Sequence, residues 1–184
     1  MKRKDSSNVL IRNAVMDESA SIASVLYRAF AEFEPLYTPA ASTATAPSSD
    51  QIRKRWSEGP VWVMEEGSQI IGTVSAVPKH DGLYVRSMAV LPSHRSRKMG
   101  YMLLQAVEHF AKMQDIRRMF LSTTPFLTGA IRLSEQFGFQ RTDDGPLELF
   151  GTPLFTMAML LEPANPAHLN RNNVPVEKAK ADEG

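Results

Sequence analysis

The chain is 184 residues long, 43% hydrophobic and 22% charged, with a formal net charge of +1. That length carries one ordinary domain with a proper core, and the near-neutral balance argues against a general nucleic-acid binder. The absence of cysteine excludes disulfides, thiolate zinc sites and a thiol nucleophile, and His80, His94, His109 and His168 lack the spacing of a metal motif.

Residues 1–8 are charged with no apolar run behind them, so a flexible N-terminus is expected. No signal peptide or spanning segment is expected, which makes the cytoplasm the default. Val9–Val15 reads as a strand, and Asp17 is placed to cap a helix whose apolar face is Ile22, Val25, Leu26, Ala29, Phe30 and Phe33. Glu34–Ser49, rich in Pro, Ala, Ser and Thr, reads as a long loop. A short helix over Asp50–Ser57 would carry Trp56 on its apolar side. Val61–Glu65 and Gln69–Val77 read as strands joined by the turn Glu66-Gly67-Ser68, and Tyr84–Leu91 follows the turn His80-Asp81-Gly82.

A second amphipathic helix shows Met99, Met102, Leu103, Ala106, Val107, Phe110 and Met113 along one stripe. Arg118–Thr123 is a strand that Pro125 stops, and a helix spans Thr128–Phe137 with Gly138 just past its end. Phe139–Thr142 and Thr152–Leu161 close the sheet. Residues 162–184 offer little to bury and are expected to be disordered. The order of elements describes one domain over residues 9–161, a mixed α/β sheet with helices on its faces.

One stretch carries chemistry. At Val90–Leu104 an apolar strand ends, a basic loop follows, and a helix opens directly out of it. Backbone amides at a helix start and the positive end of its dipole favour a phosphate there. Arg95, Arg97 and Lys98 supply cations, and Gly100 allows close backbone approach. A Walker loop would need Gly-Lys-Ser/Thr at the helix entry, and a dinucleotide fold would need G-x-G-x-x-G; neither is present.

Val90, Pro92, Arg95 and Gly100, with Ala130, Leu133, Gly138 and Phe139 downstream, resemble the two signatures of the GCN5-related N-acetyltransferase (GNAT) superfamily. The resemblance, which extends over about Val9–Leu161, implies a mixed, mostly antiparallel twisted sheet of about seven strands flanked by four helices. It also implies acetyl-CoA as cofactor. Met88, Ala89 and Val90 would meet its pantetheine arm, and Arg95 with the segment Ser96, Arg97, Lys98, Met99, Gly100 and Tyr101 would hold its pyrophosphate. Thr128, Ala130 and Leu133 would complete the cofactor wall. The implied activity is direct transfer of an acetyl group to a primary amine. The alternatives are an acyl-CoA-binding sensor without catalysis, and an anionic-partner binder using the loop with Arg117 and Arg118.

Three positions depart from the family pattern. Lys98 stands where glycine is usual; a positive φ there would be strained, and the residue is expected instead in the first helical turn. Ser134 replaces a tyrosine that would protonate the departing thiolate. Its hydroxyl either relays a proton through water or has no role, with Tyr101 and Tyr84 as other phenols. Leu127 replaces an asparagine, leaving Thr128 to supply that hydrogen bond or to cap the helix.

An alkyl ammonium has a pKa of about 10.4 and must lose its proton before attack. A backbone N–H within Met88–Val90 would stabilise the developing oxyanion. No side-chain base announces itself. Glu32 and Glu34 are candidates on the substrate side, and Arg86, unusual in a central strand, would pair with a carboxylate or face solvent. Glu34–Ser49 and Gly145–Gly151 are expected to shape the acceptor pocket. The apolar last strand, Phe155–Leu161, offers an edge for a homodimer.

Overall fold

The computed structural model describes residues 9–162. The stretches expected to be flexible, 1–8 and, Glu162 apart, 162–184, lie outside the described residues, as do the side chains of Ser96 and Arg97. In chain order the elements are β1 (Val9–Asn13), α1 (Ser19–Phe30), α2 (Pro39–Thr45), α3 (Ser49–Lys54), β2 (Val61–Glu66), β3 (Gln69–Lys79) and β4 (Gly82–Val90). There follow α4 (Met99–Met113), β5 (Arg118–Thr123), α5 (Thr128–Phe137), β6 (Gln140–Arg141), β7 (Leu147–Leu149) and β8 (Thr152–Leu160). Single 3-10 turns precede α1 and β2, and longer 3-10 segments span Ala31–Leu36 and, ahead of α4, Pro92–Arg97.

Eight strands form the sheet in the order β1-β2-β3-β4-β5-β8-β6, with β7 pairing β8 to one side. Every pairing is antiparallel except β4 with β5. Seven consecutive residues of β3, Ile71 to Val77, are buried, so this strand is covered on both faces. On one face α4 packs Leu103 over Gly72, and Phe110 meets Trp62 edge-on at 5.5 Å. α1 contributes Ile22, Val25, Leu26 and Ala29 to the same core. None of the described helices is long and apolar enough to cross a membrane.

Several expectations need correction. Glu34–Ser49 is not a structureless loop: it holds the end of a 3-10 turn and α2, whose N-cap Thr38 accepts from the Ala41 amide at 3.3 Å ahead of Pro39. Asp17 does not cap α1. Glu18 holds the N-cap position but makes no side-chain cap bond to the helix; its carboxylate accepts the Val15 N–H at 2.9 Å, at the start of the 3-10 turn Met16–Glu18. The last strand is not a free edge, because β8 bonds β5 on one side and β6 and β7 on the other. There are also five α-helices among the described residues rather than four, α2 being the addition.

Two irregularities shape the middle of the sheet. Between Thr73 and Ser75 of β3 the partners on β4 jump from Ala89 to Arg86, so β4 carries an extra residue there, and Ser87 takes φ 50°. Such a bulge bends the strand. On its other edge β4 meets β5 only at Leu83–Met119 and Tyr84–Phe120. Beyond Tyr84 the two strands part, leaving a wedge open in the sheet.

Candidate functional site

The wedge is the floor of a cavity of about 1060 Å³. Its walls come from β4 between Tyr84 and Val90, from β5 and the residues after it, from the start of α4, and from one side of α5. At its remaining side stand residues of α1 and α2, and Leu149, Phe150 and Leu154 from the β7–β8 hairpin. Two hydrogen bonds from Thr38 tie that hairpin to α2: its hydroxyl donates to the Phe150 carbonyl at 2.8 Å, and its amide donates to Thr152 Oγ1 at 3.1 Å.

Among the residues expected at the site, the cavity gathers Arg86, Met88, Ala89, Val90, Arg95, Lys98, Gly100, Tyr101, Ala130, Leu133 and Ser134. Met99 is 3% exposed and belongs to the core. Thr128 is the first residue of α5 and lies outside the lining; the N-cap is Leu127, with no side-chain cap, so Thr128 does not cap the helix. Glu32 and Glu34 also lie outside the lining; Glu34 lines a shallower neighbouring hollow.

The turn into α4 differs from expectation. Lys98 adopts φ 59° and ψ 17°, the left-handed conformation, and is not part of the helical first turn. A lysine there costs roughly 1–2 kcal/mol against a residue free of that strain. The conformation lets the chain turn abruptly from the 3-10 segment Pro92–Arg97 into α4. Met102 N–H is the first amide of α4 to bond back, to Lys98 O at 3.1 Å. The amides of Met99, Gly100 and Tyr101 therefore have no acceptor within the helix. A Cβ at Gly100 would come within 2.6 Å of Leu133 Cδ2, so glycine lets α4 and α5 approach at this corner.

Arg95 is already engaged. Its guanidinium donates to Glu32 and to the Ala29 carbonyl, its Nε reaches Val90 O at 3.4 Å, and it lies 5.8 Å from the Phe33 ring centroid. It fastens the basic loop to the end of α1. Arg86 pairs with Glu58 at 2.6 Å, the carboxylate partner that its place in a central strand suggested.

Several lining groups escaped the sequence reading. Tyr37 is 9% exposed, and burial holds its phenol above the ordinary range, against a smaller opposing influence from the Thr124 and Thr45 hydroxyls. The Thr123 hydroxyl, at the end of β5, is buried without a hydrogen-bond partner. Arg55, Arg132 and Phe150 also line the cavity. The one legible signal was Thr38-Pro39, an N-cap followed by proline at the first helical position, which marks α2 and places Tyr37 just before it. Ser134 is 3% exposed and gives its hydroxyl proton to Ala130 O at 2.9 Å. Tyr101 is 38% exposed, its ring edge-on to Phe137 at 4.9 Å.

Comparison with known proteins gives a consistent result. Residues 26–139 match the model of the acetyltransferase (GNAT) family. Rat N-acetyltransferase 8F1 is 31% identical over 100 residues, which are 51% of this chain and 45% of that protein. The chain thus spans under half the length of the mammalian relatives at the head of the comparison. An uncharacterised Escherichia coli N-acetyltransferase, YjgM, is 26% identical over 140 residues, 73% of this chain and 83% of its own. Among solved structures, the PaiA N-acetyltransferase of Thermoplasma acidophilum, crystallised with coenzyme A, superimposes with a TM-score of 0.72 at 15% identity, over 84% of this chain and 99% of that one. An Elizabethkingia anophelis acetyltransferase with acetyl-CoA bound gives 0.60 at 20% identity, over 86% and 100%. At such identities these structures speak for the fold.

Proposed function

Because the chain belongs to the acetyltransferase (GNAT) family, we propose that it moves an acetyl group from acetyl-CoA directly to the primary amine of a separate acceptor. The observation that carries this is the single cavity joining the α4 entry turn, the parted edges of β4 and β5, and an aromatic-walled recess beyond them. The residues present fit such a cofactor. Amides at the α4 N-terminus suit its pyrophosphate, Lys98 and Arg132 add positive charge, and Thr123, whose buried hydroxyl has no hydrogen-bond partner among the described residues, lines the wedge where an extended arm would run.

Acetyl-CoA supplies the acetyl group as a thioester. The chain's part begins with positioning: the edge of β4 beyond Tyr84 presents backbone groups that β5 does not use. An N–H of the Met88–Val90 segment, held by the sheet, stabilises charge on the carbonyl oxygen as the amine nitrogen bonds to carbon and the C–S bond breaks. The sulfur then needs a proton. Ser134 has committed its own to Ala130, so its oxygen serves as an acceptor that orders a water, and water delivers the proton. Tyr101 is the second donor at this wall.

Two measurements test the reading. Calorimetric titration with acetyl-CoA should show one site per chain, with affinity that falls as salt rises. Release of free thiol with a panel of amines should then follow. No binding overturns the proposal. Binding without turnover on any amine turns it into the acyl-CoA-binding module without catalysis.

A further inference from the structure

The charge of the cavity wall carries an inference about the acceptor, resting on the transferase reading above. Of the described residues lining the cavity, Arg55, Arg86, Arg95, Lys98 and Arg132 are cationic and none is a carboxylate. Arg95, Lys98 and Arg132 stand on the loop, α4 and α5 side, where a pyrophosphate would lie. Arg55 and Arg86 do not. Arg86 precedes Val90 by four residues, about 13 Å back along an extended strand. Arg55 is one short turn from Glu58, the partner of Arg86: Glu58 N–H donates to Arg55 O at 3.0 Å. The two guanidiniums therefore gather at the far end of the cavity from the basic loop.

Their charges are not equally compensated. Glu58 lies outside the lining, pairs with Arg86 and fixes its position. Arg55 is half-buried, and among the described residues its side chain has no ion pair and no hydrogen bond. A half-buried fork of five donors without a partner is poised for a planar anion. Away from the basic loop the cavity lining is largely apolar, with Phe30, Tyr37, Leu149, Phe150 and Leu154 in it.

We infer that the acceptor is an amine carrying a carboxylate on an apolar body of roughly aromatic size, an amino-acid-like molecule, with the carboxylate on Arg55. The same charges disfavour polyamines and other purely cationic acceptors, which would meet like charge without a carboxylate to receive them. They also favour the neutral form of the bound amine, which helps to explain how the site works without a side-chain base. The ammonium gives its first proton to solvent, the nitrogen bonds to the thioester carbon and passes its second proton to water as the C–S bond breaks, and water returns one proton to the sulfur.

A matched pair of acceptors tests this. With the full chain and acetyl-CoA, phenylalanine should show kcat/KM about tenfold or more above 2-phenylethylamine, which is the same amine without the carboxylate. Arg55→Gln should bring that ratio close to one, Arg55→Lys should keep part of it, and Arg53→Gln, outside the lining, should keep all of it. Binding of the products to the CoA-loaded protein gives an independent reading: N-acetylphenylalanine should bind about tenfold tighter than N-acetyl-2-phenylethylamine. Product discrimination without turnover on any amine upholds the acceptor site and removes the transferase reading. Equal turnover of the pair, preference for the amine, or equal product binding overturns the inference.

Discussion

At the scale of single residues, Lys98 sets a stability cost against a charge. Its left-handed backbone, φ 59°, is one that glycine adopts without a Cβ clash, while its ammonium lines the cavity near the α4 amides. Lys98→Gly should therefore raise stability, by up to about 1 kcal/mol, because glycine's looser unfolded state offsets part of the relief. For a domain of this size that is a rise in Tm of about 2–4 °C. The same variant should weaken acetyl-CoA binding as much as Lys98→Gln does, and both losses should shrink at high salt. A lower Tm for Lys98→Gly would mean that the side chain makes a contact worth more than the strain. The sequence could not disclose this: a lysine beside a helix start looks like the first turn of the helix, and the one sign to the contrary was the glycine common at that place in the family. Ser134 yields a second expectation. With its proton committed to Ala130, Ser134→Ala should cost far less than the roughly hundredfold that removing a direct acid costs.

At the scale of elements, junctions matter more than the elements themselves. Arg95 joins the basic loop to α1 through Glu32 and Ala29, so its role differs in kind from that of Lys98. Arg95→Ala should lower both thermal stability and acetyl-CoA affinity, with an affinity loss that changes little with salt, since what is lost is the placement of the loop. A loss that salt abolishes would show a direct phosphate contact. A second junction lies at the start of α1, where the Arg12 guanidinium bridges Glu18, at 3.0 Å through NH1, and Glu65 on β2. The Arg12 hydrogen bond holds the Glu18 carboxyl below its ordinary value of 4.5. Because that pKa is lowered by folding, its contribution is fully present above the ordinary value and is lost as pH falls through the lowered one. Arg12→Met should flatten the acid limb of a stability-against-pH curve, followed by urea denaturation between neutral and strongly acidic pH. A parallel acid limb in the variant would assign that fall to other carboxylates. Junctions are also where the sequence was least legible. The strands and the two long helices follow from periodic apolar residues, whereas α2 buries only Ala41 and is held by Phe150 and Thr152, more than a hundred positions away. No local pattern encodes such a tie.

For the whole molecule, the decisive feature is a sheet whose central strands are paired along most of their length except at one seam. β5 pairs with β8 through all six of its residues, Arg118 to Thr123, yet meets β4 at only two positions. The strand pattern, apart from the short β7 that falls within the Gly145–Gly151 segment, was legible in the sequence because alternation and turn residues declare it. The seam was not, because an extra residue in β4 and a lost register leave no mark on composition. Energetically the seam is incomplete: β4 and β5 expose backbone groups to the cavity, and the Thr123 hydroxyl is buried without a partner. A ligand that fills it should stabilise the entire fold, by about 2.7 kcal/mol at a hundred times its Kd, or a rise in Tm of about 5–10 °C. The location of that stabilisation can be read from fragments. Adenosine 3′,5′-bisphosphate should reach only the phosphate side of the cavity, and pantetheine only the seam, and at equal saturation each should give the same single-site shift. If the arm occupies the seam, the two fragments should bind together without competing, and pantetheine affinity should drop in Thr123→Val while that of the bisphosphate holds. Competition between them, or a Thr123→Val variant that binds pantetheine unchanged, would place the arm elsewhere and leave the open seam as a feature of the fold alone.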